Sequence, residues 1–137
     1  MKKFRLILVP LLLLTLIFNT AVVFAGDDDG IEPYELDVLM VSFNRINMSQ
    51  SLAEVTASLS GTVEYVTTTI TLQQAEPGSN KYSDVSGSTS TKTSHSDTHY
   101  HTKLYNTGTS KDYRIKVTIS AKCNISSNNS TVYKELS

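Results

Sequence analysis

Imidazole and carboxylate groups alternate in one short stretch of the chain, SHSDTHYH at residues 94–101, where His95, Asp97, His99 and His101 stand on every second position. On a β-strand such residues project from one face, with neighbours about 7 Å apart at Cα. His99 and His101 could then converge on one ion, with Asp97 as an oxygen ligand. His95, about 20 Å along the strand from His101, would lie too far away to join them. The pattern predicts a site for Zn²⁺, or for Cu²⁺ or Ni²⁺.

A second interpretation of the same stretch is a polar, solvent-exposed strand. Nine of the thirteen residues from 86 to 98 are Ser or Thr, a composition typical of an edge strand or a flexible connection. Histidines there would keep the edge polar and oppose pairing with other chains, and they would gain charge at about pH 6 to 7. We favour this interpretation and keep the metal site as the alternative.

The rest of the chain has no recognisable catalytic motif, such as a glycine-rich phosphate loop, H-E-x-x-H or G-x-S-x-G. Cys123 is the one cysteine, so no internal disulfide can form. Its position at the end of an alternating strand predicts a buried, unreactive thiol. Glu54 and Glu64 are predicted to be solvated rather than paired for glycoside hydrolysis. We therefore expect no catalytic residues, no enzyme activity, and no cofactor other than Zn²⁺ at the alternative site.

The first 25 residues have the three parts of a secretory signal peptide. Three positive residues precede an apolar run at 6–18, and V-F-A at 23–25 is a small-x-small cleavage site. This pattern predicts a signal peptide at 1–25, cleavage after Ala25, and a secreted, extracellular protein. The alternative is an uncleaved anchor, because residues 6–25 are about long enough to span a bilayer. Contact with a membrane is expected only through this segment.

Charge argues against a nucleic-acid partner. After residue 25 the chain has 9 Lys and Arg against 13 Asp and Glu, which is a net charge of −4. Binding to the phosphates of nucleic acid needs a basic stripe, and anionic lipid attracts basic segments. The negative net charge therefore argues against both partners. Six of the acids fall within residues 27–37, which predicts an acidic, flexible N-terminal segment at 26–37.

Apolar residues recur with a period of two, which is the signal of half-buried strands. The clearest segment is DYRIKVTISAKC, with Ile115, Val117 and Ile119 on one face and polar residues on the other. Three earlier segments have predicted inward sets: Val41, Phe43 and Ile46; Val55, Ala57 and Leu59; Val66, Ile70 and Leu72. Short strands are also predicted at KYSDV, at the histidine stretch, and at STVYKEL after a polar turn at 126–129.

These elements predict an all-β fold: a single immunoglobulin-like or fibronectin-like β-sandwich of about seven strands over residues 38–137, after a signal-peptide helix. The predicted inward residues have odd numbers up to Leu59 and even numbers from Val66. This change requires a bulge or turn near Gly61. Tyr113 follows a glycine-containing turn, so its hydroxyl is predicted to bond to nearby backbone, as a tyrosine corner does in such sandwiches.

Several short segments follow one another in a recognisable order: Pro33-x-Tyr, ASLSGTV, ITLQQ, KYSDV and GTSKDYRIKVTI. This order, over residues 31–137, resembles a group of small secreted proteins from Gram-positive bacteria of the clostridial type. Tyr82 stands where those proteins frequently have Trp, and the histidine stretch is not part of the resemblance. The resemblance implies a secreted all-β sandwich of unassigned function, and it implies no catalytic residues.

The leading functional expectation is a binding or structural module at the cell surface or in the medium, because sandwich faces and end loops commonly serve recognition. Candidate surfaces are the polar strand around Thr93–Thr102 and a cationic face formed by Arg114, Lys116 and Lys122. The expected partner is a cell-envelope or extracellular component. The alternative function is a secreted Zn²⁺-binding protein that uses the stretch from His95 to His101.

Overall fold

The computed structural model describes residues 36–60, 62–123 and 126–137, and within these ranges the chain forms eight β-strands. They are β1 Leu36–Asn47, β2 Gln50–Leu59, β3 Val63–Ala75, β4 Ser83–Asp84, β5 Ser90–Ser94, β6 Thr98–Asn106, β7 Asp112–Cys123 and β8 Ser126–Glu135. The described ranges contain no helix with the length and hydropathy needed to cross a bilayer. The predicted signal peptide and most of the predicted acidic segment lie outside the described residues.

The strands pair in two antiparallel sheets. The first sheet has the order β1-β2-β6, and the second has the order β4-β3-β7-β8. β5 also belongs to the second sheet, because it pairs with β3 over Val66–Ile70, and β4 pairs with β3 further on at Gln73 and Gln74. One edge of β3 pairs with β7, and the other edge pairs with β4 and β5 in turn. The fold is therefore all-β, as the alternating pattern predicted.

The core lies between the two sheets and is built from the inward residues of the alternating strands. Ile115, Val117 and Ile119 on β7 are almost completely buried, at 0, 0 and 4 % exposure. They pack in one cluster with the inward residues of β1, β2, β3, β6 and β8: Leu39, Val41, Phe43, Ala53, Val55, Ala57, Leu59, Val66, Ile70, Leu72, Tyr105 and Val132, together with Ala121. The predicted inward phase of β7 is confirmed.

The change of phase between β2 and β3 is also confirmed. Odd-numbered residues up to Leu59 point inward on β2, and even-numbered residues from Val66 point inward on β3. The register between β3 and β7 shifts between Val63 and Tyr65. A bulge adds one residue on one strand and so exchanges the two faces. The sequence required a bulge or a turn near Gly61, and the observed shift lies a few residues further along the chain.

Three details differ from the sequence prediction. Ile46 is 54 % exposed, because it stands on an even position of β1 next to a register shift between Arg45 and Asn47. The predicted polar turn at 126–129 instead lies within β8, since these residues pair with β7. The hydroxyl-to-backbone bond was predicted for Tyr113, but the buried tyrosine hydroxyl that donates to a backbone carbonyl, that of Ile70, belongs to Tyr105. Tyr113 is half-buried against the core. The side chain of Cys123 lies outside the described residues, so its burial stays a prediction.

Candidate functional site: a buried histidine cluster and an exposed sheet face

The histidine stretch forms two strands joined by a turn, and not one continuous strand. β5 ends at Ser94 and β6 begins at Thr98. Within the turn, the hydroxyls of Ser96 and Thr98 both donate to the carboxylate of Asp97, and these local bonds compete with an extended strand. His95 and Asp97 therefore lie in the turn, and only His99 and His101 share a strand face.

His99 and His101 point into the molecule. They are exposed by 0 and 3 %, so neither belongs to a solvated strand face as the favoured interpretation held. Their positions on β6 face Ala57 and Val55 of β2 in the register of the first sheet. A buried polar side chain is costly unless its hydrogen bonds are made, so the partners of the two imidazoles decide what this site is.

Thr68 is the centre of the site. Its Oγ1 lies 2.7 Å from His99 Nε2 and 2.7 Å from His101 Nδ1. The other nitrogen of each ring meets a serine of β5: His99 Nδ1 is 2.7 Å from Ser94 Oγ, and His101 Nε2 is 3.0 Å from Ser90 Oγ. We call these five residues the histidine cluster. It joins β6 of the first sheet to β3 and β5 of the second.

The bonds of the histidine cluster run in one chain, in the order Ser94, His99, Thr68, His101, Ser90. A neutral imidazole has one donor and one acceptor nitrogen, and a hydroxyl has one hydrogen to donate. Since Thr68 can donate to only one imidazole, it must accept from the other. That choice sets both tautomers, so the cluster has two consistent proton arrangements that run in opposite directions.

Both imidazoles are held neutral. Burial lowers the pKa of His99 below its ordinary value, and the nearby charges of His101 and Lys92 lower it further. Burial also lowers the pKa of His101, with added contributions from Lys92 and Lys103, while a hydrogen bond that the ring donates to the backbone of Thr68 acts in the opposite direction. At neutral pH the cluster is therefore an uncharged network in the interior.

The predicted metal triad is not brought together. His99 and His101 do converge on one point, as the sequence predicted, but the hydroxyl of Thr68 is at that point. The carboxylate of Asp97 bonds within its own turn, and His95 Nδ1 donates to the carbonyl of Glu64 at 2.8 Å. Within the described ranges, no three residues among His, Cys, Asp and Glu are grouped as metal ligands.

The sequence contained a signal for this arrangement. Thr68 falls on the inward phase of β3 between Val66 and Ile70, where a polar residue interrupts an apolar face. An inward hydroxyl needs a partner, and His99 and His101 are polar residues at alternate positions of another predicted strand. What the sequence did not show is that β5 and β6 belong to different sheets and meet at Thr68.

A second candidate site is the outer face of the first sheet, defined here by the outward residues of β1, β2 and β6. Most of the exposed large apolar side chains of the described chain belong to this sheet or to its β1–β2 turn: Met40, Ile46, Met48, Tyr100 and Leu104. A shallow depression of about 350 Å³ lies on this face, and two of these residues, Met40 and Tyr100, line it together with Val41, Ser42, Asn44, Glu54 and Thr56. Sequence analysis did not identify this face.

Glu54 lies at the centre of the outer face. Its carboxylate accepts hydrogen bonds from the hydroxyls of Tyr100 at 2.9 Å and Ser42 at 3.3 Å. The bond to Glu54 raises the pKa of Tyr100, with smaller contributions from burial and from the carboxylate charge. Three strands thus contribute one connected polar centre, and Met40, Tyr100 and Leu104 expose apolar area around it. Exposed apolar side chains gathered on one face are typical of interaction surfaces.

The two surfaces predicted from the sequence are largely engaged within the molecule. The Arg114 guanidinium lies 4.1 Å from the ring centre of Tyr82 and 4.5 Å from that of Tyr133, and its Nε donates to Gln73. Lys122 forms an ion pair with Glu64 at 3.1 Å. Around Thr93, hydroxyls of β3 bond in pairs to those of the following segment: Thr67 with Thr93, Thr69 with Thr91, and Thr71 with Thr89.

Comparison with known proteins adds no family. None of the protein-family models and none of the curated proteins compared with the chain matches it. The function must therefore be argued from the fold and from these two sites.

Proposed function

We propose that the protein is a secreted β-sandwich module that acts by binding, with the outer face of the first sheet as its binding surface. The observation that carries this proposal is the concentration of exposed apolar side chains around the Glu54 centre, over a shallow depression. Such a surface gains free energy when a partner removes its apolar area from water. The partner class we propose is a cell-envelope or extracellular component.

An immunoglobulin-like or fibronectin-like topology is part of the proposal. Support comes from the strand order: β1, β2 and β6 form one sheet, and β3, β7 and β8 form the other. Strands A, B and E and strands C, F and G divide between the two sheets of immunoglobulin constant-type domains in the same way. Such domains commonly serve recognition outside the cell, and this agrees with the signal-peptide pattern at 1–25.

The binding surface is tested by comparing variants of the two sheet faces. Met40→Ser with Leu104→Ser removes apolar area from the outer face of the first sheet, and Tyr133→Ser removes a comparably exposed ring from the second sheet. Retention of the purified protein on washed cell envelopes, and on immobilised medium proteins, is the measurement. We expect the first variant to lose most of the retention and the Tyr133 variant to keep it. Equal retention of both variants would contradict the proposal.

Secretion is tested separately by N-terminal sequencing of the protein recovered from the medium. Cleavage after Ala25 is the expected result, because Val23 and Ala25 are small residues at the positions that a signal peptidase reads. Recovery of the intact chain only in the membrane fraction would support the uncleaved anchor instead. This result is independent of the binding experiment.

A further inference from the structure

The two edges of the sandwich that meet at the histidine cluster belong to different sheets. β5 pairs with β3 in the second sheet, and β6 pairs with β2 in the first, so no described backbone ladder joins β5 to β6. The gap between them is bridged by side chains. These bridges are Ser90 to His101, Ser94 to His99, and the Lys92 ammonium, which donates to the carbonyl of Tyr100 at 2.7 Å.

One added proton can enter the histidine cluster without breaking its chain of bonds. In the arrangement where His99 Nε2 donates to Thr68, Thr68 donates to His101. Protonating His99 places a second N–H at Nδ1, opposite Ser94 Oγ. The Ser94 hydroxyl then turns from donor to acceptor, and because Ser94 is only half-buried its hydrogen can turn towards water. The other bonds are unchanged.

A second proton cannot be accommodated in the same way. Both imidazoles would then donate to Thr68 Oγ1, and the hydrogen of Thr68 would have no acceptor within the chain of bonds. The two rings, with centroids 6.4 Å apart, would also both be positive. Two like charges at this distance in a buried site repel strongly.

The charged groups around the two rings would add to this repulsion. Lys92 faces the rings from β5, and Lys103 faces His101 from β6. β3 contributes the neutral Thr68, and β2 contributes the apolar Val55 and Ala57. No carboxylate within the described ranges bonds to either imidazole or shifts its pKa.

We propose that the histidine cluster is a proton-operated latch, which holds β5 against β6 with no added proton or with one, and releases this edge of the sandwich when both imidazoles are protonated. Release exposes the inner sides of β5 and β6, while the β3–β7 and β7–β8 ladders keep their backbone bonds. Such local opening is a recognised low-energy route in folded proteins. The latch is independent of the binding surface proposed above.

Imidazole ¹⁵N NMR and amide hydrogen exchange on the secreted protein, between about pH 7.5 and about pH 4.5, test the latch. The exchange rates are corrected for their intrinsic dependence on pH. We expect amides of 90–94 and 98–101 to exchange about tenfold faster once the second imidazole titrates. Amides of 115–119 on β7 should keep their protection. Unchanged exchange at 90–94 after both rings are protonated would overturn the proposal.

Variants separate the latch from general acid destabilisation. His99→Gln and His101→Gln each leave one imidazole, so the cluster cannot take up a second proton. The increase in amide exchange at low pH, called the acid step below, should therefore disappear. His95→Gln is the matched control, because His95 lies in the exposed turn and should leave the step unchanged. A step at the same pH in either single-imidazole variant would overturn the proposal.

A lysine variant keeps the test decisive if the glutamine variants do not fold. Lys92→Met removes the positive charge that faces both imidazoles from β5, together with its bond to the Tyr100 carbonyl. Both changes should move the step to higher pH. A step at the pH of the unaltered protein would count against the latch.

Discussion

The hydroxyl of Tyr105 on β6 donates to the backbone carbonyl of Ile70 on β3 at 3.1 Å, and so it links the two sheets through the core. Tyr105 also meets Phe43 of β1, edge to face, with ring centroids 6.3 Å apart. Burial raises the pKa of Tyr105 to about 12. One residue therefore contributes both apolar packing and a hydrogen bond that crosses between the layers.

Replacement of Tyr105 by Phe is expected to destabilise the fold. The ring and its packing on Phe43 remain, but the bond to the Ile70 carbonyl is lost, at a cost of about 1 to 2 kcal/mol in the free energy of unfolding. Urea unfolding monitored by circular dichroism measures the change. Tyr100→Phe is the control, because Tyr100 is exposed and the loss of its hydroxyl should lower the free energy of unfolding by less than about 0.5 kcal/mol. Equal effects of the two variants would contradict the assigned role of Tyr105.

Thr68→Val tests whether the histidine cluster depends on its central hydroxyl. Valine keeps the shape of the side chain and removes Oγ1, so one nitrogen of His99 and one of His101 lose their shared partner. Leaving buried polar groups unpaired costs about 1 to 3 kcal/mol each. The matched control is Thr69→Val, on the outer face of the same strand, where valine suits a β-strand and the expected change is about zero. A thermal melt of both variants gives the comparison.

Stability should fall with acid in a window set by the two histidines. Both have a pKa lowered by folding, so the unfolded chain binds protons more readily than the folded one below about pH 6.5. The free energy of unfolding then drops by up to about 1.4 kcal/mol per pH unit for each histidine, until the folded protein is protonated too. Above about pH 6.5 both imidazoles are neutral in the folded and the unfolded state, so they do not make the free energy of unfolding depend on pH.

The double variant His99→Gln/His101→Gln isolates this contribution, because the carboxylates that titrate at lower pH are the same in both proteins. Urea unfolding at about pH 7.5, 6.0 and 5.0 is the measurement. We expect the unaltered protein to lose more stability than the variant between the first two values. Parallel curves for the two proteins would show that the histidines are not linked to folding.

The sequence predicted the strands that have a continuous apolar face. β7 and β2 show strict alternation, and the residues assigned to their inner faces are buried. The change of phase alone required a turn or a bulge near Gly61, and the register shift between Val63 and Tyr65 lies close to that position. These features are local, since a period of two within one strand determines them.

The histidine cluster could not be predicted in full, because its geometry depends on which strands meet. His99 and His101 were correctly placed on one face, but the same pattern suits a solvated strand, a metal site and an inward polar network. Choosing among them requires knowing that Thr68 on β3 faces β6 from the other sheet. The turn at Asp97 was missed as well, because its side-chain bonds are made only when the strand is interrupted.

Zinc affinity provides a test of the alternative function. We expect residues 26–137 to bind Zn²⁺ more weakly than micromolar, because each nitrogen of His99 and His101 is already hydrogen-bonded and the carboxylate of Asp97 bonds elsewhere. Calorimetric titration measures the affinity, with His99→Ala/His101→Ala as the control for residual binding. Weak binding that survives in the control would point to the exposed His95. Tight, stoichiometric binding that the control abolishes would instead mean that Zn²⁺ displaces the Thr68 hydroxyl, so that the cluster is a metal site after all.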